Sequence, residues 1–251
     1  SGVRLLRLRA AMQACRECKY FWYLNHEGCI VNYDADIIQT LLTTEKLNPW
    51  LLKDRPVVTP SGAIHTYKNN KPENVKFLIT QDERGLNTNS FIMVNDLYGR
   101  ALLEFWSDKL YSNYNNFPLK EASALMHILQ WHPVILSRTG LIPARTIASS
   151  HSVVENTDEN NDIFYKKGDL AVILKDCQIR KSCETEFDTY WSKLHKWLLS
   201  FLFWSFILLI FARQWYVIIY SLYVYLLLCF YTFLFFPLKY EGHSLYHLKL
   251  L

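Results

Sequence analysis

The chain has 251 residues, 51% of them apolar, 16% aromatic and 20% charged, with a formal net charge of +4. That length suits one ordinary domain with an attached segment and excludes two full domains. Much of the apolar excess lies in the last quarter, so the averages describe neither part of the chain.

The first pattern is VRLLRLRAAMQA, with Leu5, Leu8 and Met12 on one stripe, which predicts an amphipathic helix. Arg4, Arg7, Arg9, Arg16 and Lys19 face only Glu17, so this end is locally basic. Such a helix suits phosphates of nucleic acid or lipid headgroups, or is a solvated face.

The helix runs into the only metal-like constellation, Cys15-Arg-Glu-Cys18 followed by His26-Glu-Gly-Cys29. Two short pairs of thiolate and imidazole ligands can each form a knuckle and close a tetrahedron around structural zinc. Cys15, Cys18, His26 and Cys29 are therefore the expected metal ligands and zinc the expected cofactor. Gly28 offers the close backbone approach such a knuckle needs. The alternatives are a redox dithiol at Cys15 and Cys18, or free buried thiols beside an exposed histidine. Tyr20, Phe21, Trp22 and Tyr23, between the two pairs, are either base-stacking groups or core.

DADIIQTLLTTEKL predicts a second helix, with Asp34 or Asp36 as N-cap and Pro49 beyond its end. Pro56, Pro60 and Gly62 mark a loop. VKFLITQ and FIMVND predict two strands joined by a turn rich in Asp, Gly and Asn. LYGRALLEFWSDKLYSNY and LKEASALMHILQWH then predict two helices, the second closed by Pro133. Residues 147–162 have the composition of a polar linker. DLAVILKDCQI predicts one more strand and ETEFDTYWSKLHK a polar helix.

From Trp197 to Ala212 and from Trp215 to Pro237 no residue is charged, with only Arg213 and Gln214 between the two runs. At about 1.5 Å per residue and about 20 residues per span, this predicts a membrane segment. Lys193 and Lys196 before it and Lys239 and Lys249 after it favour a hairpin with both ends cytoplasmic. The expected fold is an α+β N-terminal polar domain with a small zinc-knuckle-like element, followed by a C-terminal all-α hydrophobic membrane hairpin. The expected divisions are 1–33 for the basic helix and knuckle, 34–146 for the α+β domain and 147–162 for the linker. A juxtamembrane strand and helix follow at 163–195, the membrane segment at 196–237 and a tail at 238–251.

No glycine-rich phosphate loop, GxSxG or HExxH occurs, and no catalytic residue is assigned. His65, His127, His132 and His151 are scattered, Asp96, Glu104 and Asp108 suit a solvated helix face, and Glu155, Asp158, Glu159 and Asp162 lack the calcium-loop spacing. Arg180 and Lys181, between Cys177 and Cys183, suit contact with anionic headgroups.

The six cysteines are too unevenly placed for a disulfide framework, which points to a reducing compartment. No Asn heads a glycosylation acceptor triplet, and the Ser-Gly start reads as a processed or trimmed end. The function expected from this architecture is a membrane-anchored adaptor or assembly subunit whose zinc-stapled polar domain recruits partners on the cytoplasmic side of an internal membrane. Its expected partners are the lipid membrane and other membrane or cytoplasmic proteins. The alternatives are a membrane-attached module binding RNA or DNA through the basic N-terminal region, and a membrane-associated enzyme whose groups meet only in the fold.

Overall fold

The computed structural model describes residues 3–57, 64–82, 85–112, 121–151, 162–190, 226–227 and 248–250. The chain divides into two compact units, one of Ser1–Cys183 with Tyr246–Leu251 and one of Glu184–Leu245. In the second unit, residues 184–190 and 226–227 are helical.

The first unit is built on five strands, β1 (Tyr20–Leu24), β3 (Phe77–Asp82), β4 (Gly85–Val94), β5 (Thr139–Leu141) and β8 (Leu248–Leu250). They form one sheet in the order β5-β3-β4-β1-β8. β3 pairs parallel to β5, and β4 pairs antiparallel to both β1 and β3, so β1, β3 and β5 all point the same way. Three shorter strands, β2 (Gly28–Ile30), β6 (Ser149–Ser150) and β7 (Ala171–Ile173), make a second sheet in the order β2-β7-β6.

Period-two alternation sends the side chains of the five-stranded sheet into two cores. Phe21, Tyr23, Phe77, Ile79, Phe91 and Met93 face one side. There they meet the helices α1 (Val3–Ala14), α3 (Leu97–Trp106) and α5 (Glu121–Trp131). Trp22, Leu24, Leu78 and Ile92 face the other side, against the second sheet and α2 (Thr44–Trp50). On the first side an aromatic cluster forms around Phe91, whose ring lies 4.9 Å from Tyr23, 5.5 Å from Phe77 and 5.5 Å from Trp106. The Trp106 indole N–H donates to Glu121 O at 2.9 Å, so its polar end is satisfied within the core.

The helix at the start of the chain forms where its stripe predicts, with Leu5, Leu8 and Met12 at most 2% exposed. The two strands read from VKFLITQ and FIMVND form as β3 and β4, although β4 reaches back to Gly85. The second predicted helix is split. Asp36 accepts from the N–H groups of Ile38 and Gln39 and starts a turn at Ile38–Leu42. Thr43 is then extended, and α2 restarts after it with Pro49 inside its last turn rather than beyond it. After α3, a four-residue helix α4 (Lys109–Ser112) precedes α5, and Pro133 opens α6 (Pro133–Ser137), as its fixed φ and missing N–H allow. A last short helix, α7 (Cys177–Arg180), follows β7.

The expected fold is corrected in its zinc element. The knuckle region is strand β1 and a disulfide rather than a metal site. Among the described residues no helix is long and apolar enough to cross a membrane. The hairpin expected at 196–237 lies outside the described residues except for 226–227. The described fold is α+β without a zinc module.

Two substitutions test the packing. Phe91→Ala empties the aromatic cluster and is expected to cost about 3–5 kcal/mol. At Gly99 an added Cβ would fall 2.0 Å from the Val94 carbonyl oxygen, so Gly99→Ala is expected to cost about 1–3 kcal/mol through forced backbone shifts. Urea unfolding of the full chain measures both; an unchanged midpoint for Phe91→Ala would remove the cluster from its central place in the core.

Candidate functional site

The expected metal ligands are not gathered around an ion. Cys15 and Cys18 are bonded to each other, closing the step from α1 into β1. His26 is exposed on the turn after β1, its Nδ1 2.6 Å from Asn25 Oδ1. Cys29 lies on β2 as a half-buried free cysteine, and burial pushes its thiol up to about 12. Among the described residues no group of three or more His, Cys, Asp and Glu is placed to hold a metal. The glycine before Cys29 is needed for close packing, but against different atoms: an added Cβ at Gly28 would lie 2.6 Å from Leu24 Cδ1 and 2.9 Å from Ile173 Cδ1.

A polar cluster forms instead at the carboxyl ends of β1, β3 and β7. In sheets with parallel strands this is the edge where ligands bind. Asn25, the first residue after β1, donates its backbone N–H to Asn89 O at 2.8 Å and its side-chain amide to Asn89 Oδ1 at 3.1 Å. Its own Oδ1 accepts from the His26 N–H, and Gly28 N–H donates to its carbonyl, so Asn25-His26-Glu27 is a tight turn. Glu27 is half-buried there, and its carbonyl accepts from Leu174 N–H at 2.8 Å, which brings the end of β7 alongside.

The next residue, Lys175, donates from Nζ to Asp82 Oδ2 at the end of β3, at 2.7 Å. With only 13% of the Asp82 side chain exposed, this ion pair is partly desolvated and ties the second sheet to the first. The Lys175 carbonyl accepts from Arg180, and the Cys177–Cys183 disulfide closes the loop behind it. On the helical side, Arg4 of α1 donates to Thr88 Oγ1 of β4 at 3.1 Å and is ion-paired with Glu121 of α5. Its guanidinium lies 6.0 Å from the centre of the Tyr23 ring.

One edge therefore carries amides (Asn25, Asn89), cations (Arg4, Lys175) and carboxylates (Glu27, Asp82, Glu121). Cations of this kind neutralise a phosphate-bearing group, amides and carboxylates hold hydroxyls, and a carboxylate moves a proton. The other acidic residues singled out in the sequence have structural roles. Asp96 caps α3 through Gly99 N–H and pairs with Lys76, Glu104 pairs with Arg9 at the surface, and Asp108 accepts from Leu110 N–H. Asp162 lies 3.9 Å from Lys166, while Glu155, Asp158 and Glu159 lie outside the described residues. Asp54 is held below the usual carboxylate range by its hydrogen bond with Lys68 and, less, by His65. The edge cluster escapes sequence reasoning because its members are spread from Arg4 to Lys175. Its one local signal is a run of large apolar residues ending in Asn-His-Glu, the mark of a strand with polar groups at its carboxyl end.

Residues 3–184 match the galactosyl transferase GMA12/MNN10 family. The chain is 32% identical over 205 residues to the probable alpha-1,6-mannosyltransferase MNN11 of Saccharomyces cerevisiae, covering 77% of this chain and 48% of the relative. It is 31% identical over 180 residues to an uncharacterised alpha-1,2-galactosyltransferase of Schizosaccharomyces pombe, covering 69% of this chain and 46% of that one. A further alpha-1,2-galactosyltransferase of Schizosaccharomyces pombe is 25% identical over 193 residues, covering 75% of this chain and 49% of its own length. The chain spans about half the length of the curated relatives it matches. These matches overturn both the zinc-stapled adaptor and the nucleic-acid module. Association with an intracellular membrane system, the coarser part of the expected localisation, agrees with them. By the match over most of its length, the chain belongs to the galactosyl transferase GMA12/MNN10 family.

Proposed function

We propose that this chain takes part in glycosyl transfer, moving galactose or mannose from a nucleotide diphosphate donor to a hydroxyl of a glycan acceptor. The observation that carries this is the family match over residues 3–184, which takes in every member of the carboxyl-edge cluster. In this reading Asn25 and Glu27 hold sugar hydroxyls at the end of β1, while Lys175, paired with Asp82, holds the end of β7 against β3. Purified full chain is incubated with UDP-galactose or GDP-mannose and an oligomannose acceptor, and the product is read by mass. One added hexose is expected with one of the two donors. Glu27→Gln is expected to lower the rate about 100-fold while the melting temperature holds, the scale for loss of one hydrogen bond to a charged group. A wild-type rate left intact by that substitution rejects the role given to Glu27; no product with either donor rejects the activity for this chain.

We further propose that the domain works on the lumenal side of an internal membrane system rather than in a reducing compartment. Two disulfides support this, since such bonds persist where the surroundings are oxidising. Peptide mapping without reduction is expected to recover the Cys15–Cys18 and Cys177–Cys183 links from protein made in its own cell. Recovery of all four as free thiols would place the domain on the cytoplasmic side.

A further inference from the structure

The sheet's other edge holds a cavity of about 220 Å³. It opens where the layer covering Trp22 and Ile92 runs out. The second sheet and the turn at Ile38–Leu42 cover the middle of that face, and at its amino end the cavity is walled by Leu42 of that turn, by Thr44 and Leu47 of α2, and by Pro72 and Glu73. The floor is aliphatic, from Leu47, Val75, Leu78 and Ile92, with Tyr20 beside them. The rim is polar and carries Lys19, Thr44, Glu73 and Lys76.

Charge and size narrow the ligand. Lys76 is already neutralised by Asp96 at 3.1 Å, and the rim's other two charges, Lys19, 5.1 Å from the centre of the Tyr20 ring, and the exposed Glu73, are opposite in sign. With no net charge, this rim does not select strongly for an anion or a cation. The volume lies below the roughly 300–1,000 Å³ of pockets that take drug-sized ligands, and suits one small ring. An uncharged ring with one apolar face and a border of hydroxyls matches an aliphatic floor ringed by donors and acceptors. A pyranose is such a ring.

We propose that this amino-edge cavity binds one sugar of a glycan at a distance from the site of transfer, an inference that rests on the glycosyltransferase reading above. β1 separates the two edges by five residues, roughly 16 Å at about 3.3 Å per residue. A monosaccharide occupies one edge at a time, whereas an acceptor several sugars long reaches both. Occupying both raises its effective concentration at the reacting edge, so longer acceptors gain in KM and not in kcat.

Saturation-transfer NMR on the full chain, with methyl mannoside, methyl galactoside and a linear mannose oligomer, tests the cavity independently of activity. Saturation of ring protons of at least one of these probes is expected. Thr44→Trp closes the mouth from an exposed position, is expected to leave the melting temperature unchanged and should abolish cavity binding. Glu73→Ala is expected to weaken it about five-fold, the worth of one hydrogen bond. In transfer assays Thr44→Trp is expected to raise KM for the oligomer without changing kcat. Absence of saturation for all three probes, or identical saturation in folded Thr44→Trp, overturns the proposal. Binding that Thr44→Trp removes from a chain that transfers no sugar would support the cavity while rejecting the enzymatic reading. Transfer whose KM ignores Thr44→Trp would do the reverse.

Discussion

Strand β1 is buried on both faces, and the rest of the first unit is arranged around that constraint. Phe21 and Tyr23 enter the helical core while Trp22 and Leu24 enter the core beneath the second sheet, all four at most 4% exposed. A strand with no solvent face cannot slip by one residue without exchanging the contents of two cores, so its register against β4 is tightly specified. The Trp22 indole N–H donates to Ser90 Oγ at 2.9 Å, adding a direction-specific bond that a slipped strand would forfeit. The position of β1 in turn sets the position of the Asn25-His26-Glu27 turn. Asn25 arrives opposite Asn89 because Leu24 is opposite Ser90, and the polar edge is assembled by the same register that fills the cores.

Local patterns are legible where one element carries its own period. The i, i+3, i+7 spacing of Leu5, Leu8 and Met12 marks α1, a turn between two apolar runs flags the β3–β4 pair, and α3 and α5 follow from helical spacing and the proline after Trp131. Strand β1 is not legible. YFWYL is apolar at every position, which suits a strand buried on both faces as well as a piece of helix, and the cysteines on either side draw attention to metal chemistry. The second sheet is legible only at β7, which forms within the strand predicted from DLAVILKDCQI, and its pairing is hidden for another reason. Its strands are two or three residues long and come from positions near 29, 149 and 172, so no window of sequence contains the pattern that holds them together. The edge cluster inherits that non-locality, since Lys175 meets Asp82 across 93 positions.

The cysteines show what a motif leaves open. Cys15-Arg-Glu-Cys18 has the spacing of a metal knuckle, a redox dithiol and a plain structural disulfide alike, because all three need two sulfurs brought within a turn of each other. The surroundings decide among them. A zinc knuckle needs a second pair nearby, yet β1 runs out as an extended strand between Cys18 and His26 and carries the second pair to the opposite edge of the sheet. Asn95 then donates to the carbonyls of Met12 and Cys15, holding the end of α1 in place.

The two edges of the sheet differ in kind because the layers that cover them differ. At the carboxyl edge charged groups are paired across elements: Lys175 with Asp82 joins the two sheets, and Arg4 with Glu121 joins two helices. Partial burial strengthens such pairs and penalises any group left alone, which suits an edge that must present charges at fixed positions. At the amino edge the covering layer is thin, the floor is aliphatic and Lys19 and Glu73 sit exposed at the rim, where each contributes little to folding. Exposed rim residues such as Thr44 and Glu73 can be altered with small effect on stability, whereas the pairs at the carboxyl edge cannot. The sheet between them is packed on both faces, so a change at one edge reaches the other through the strands that span it, β1, β3 and β4.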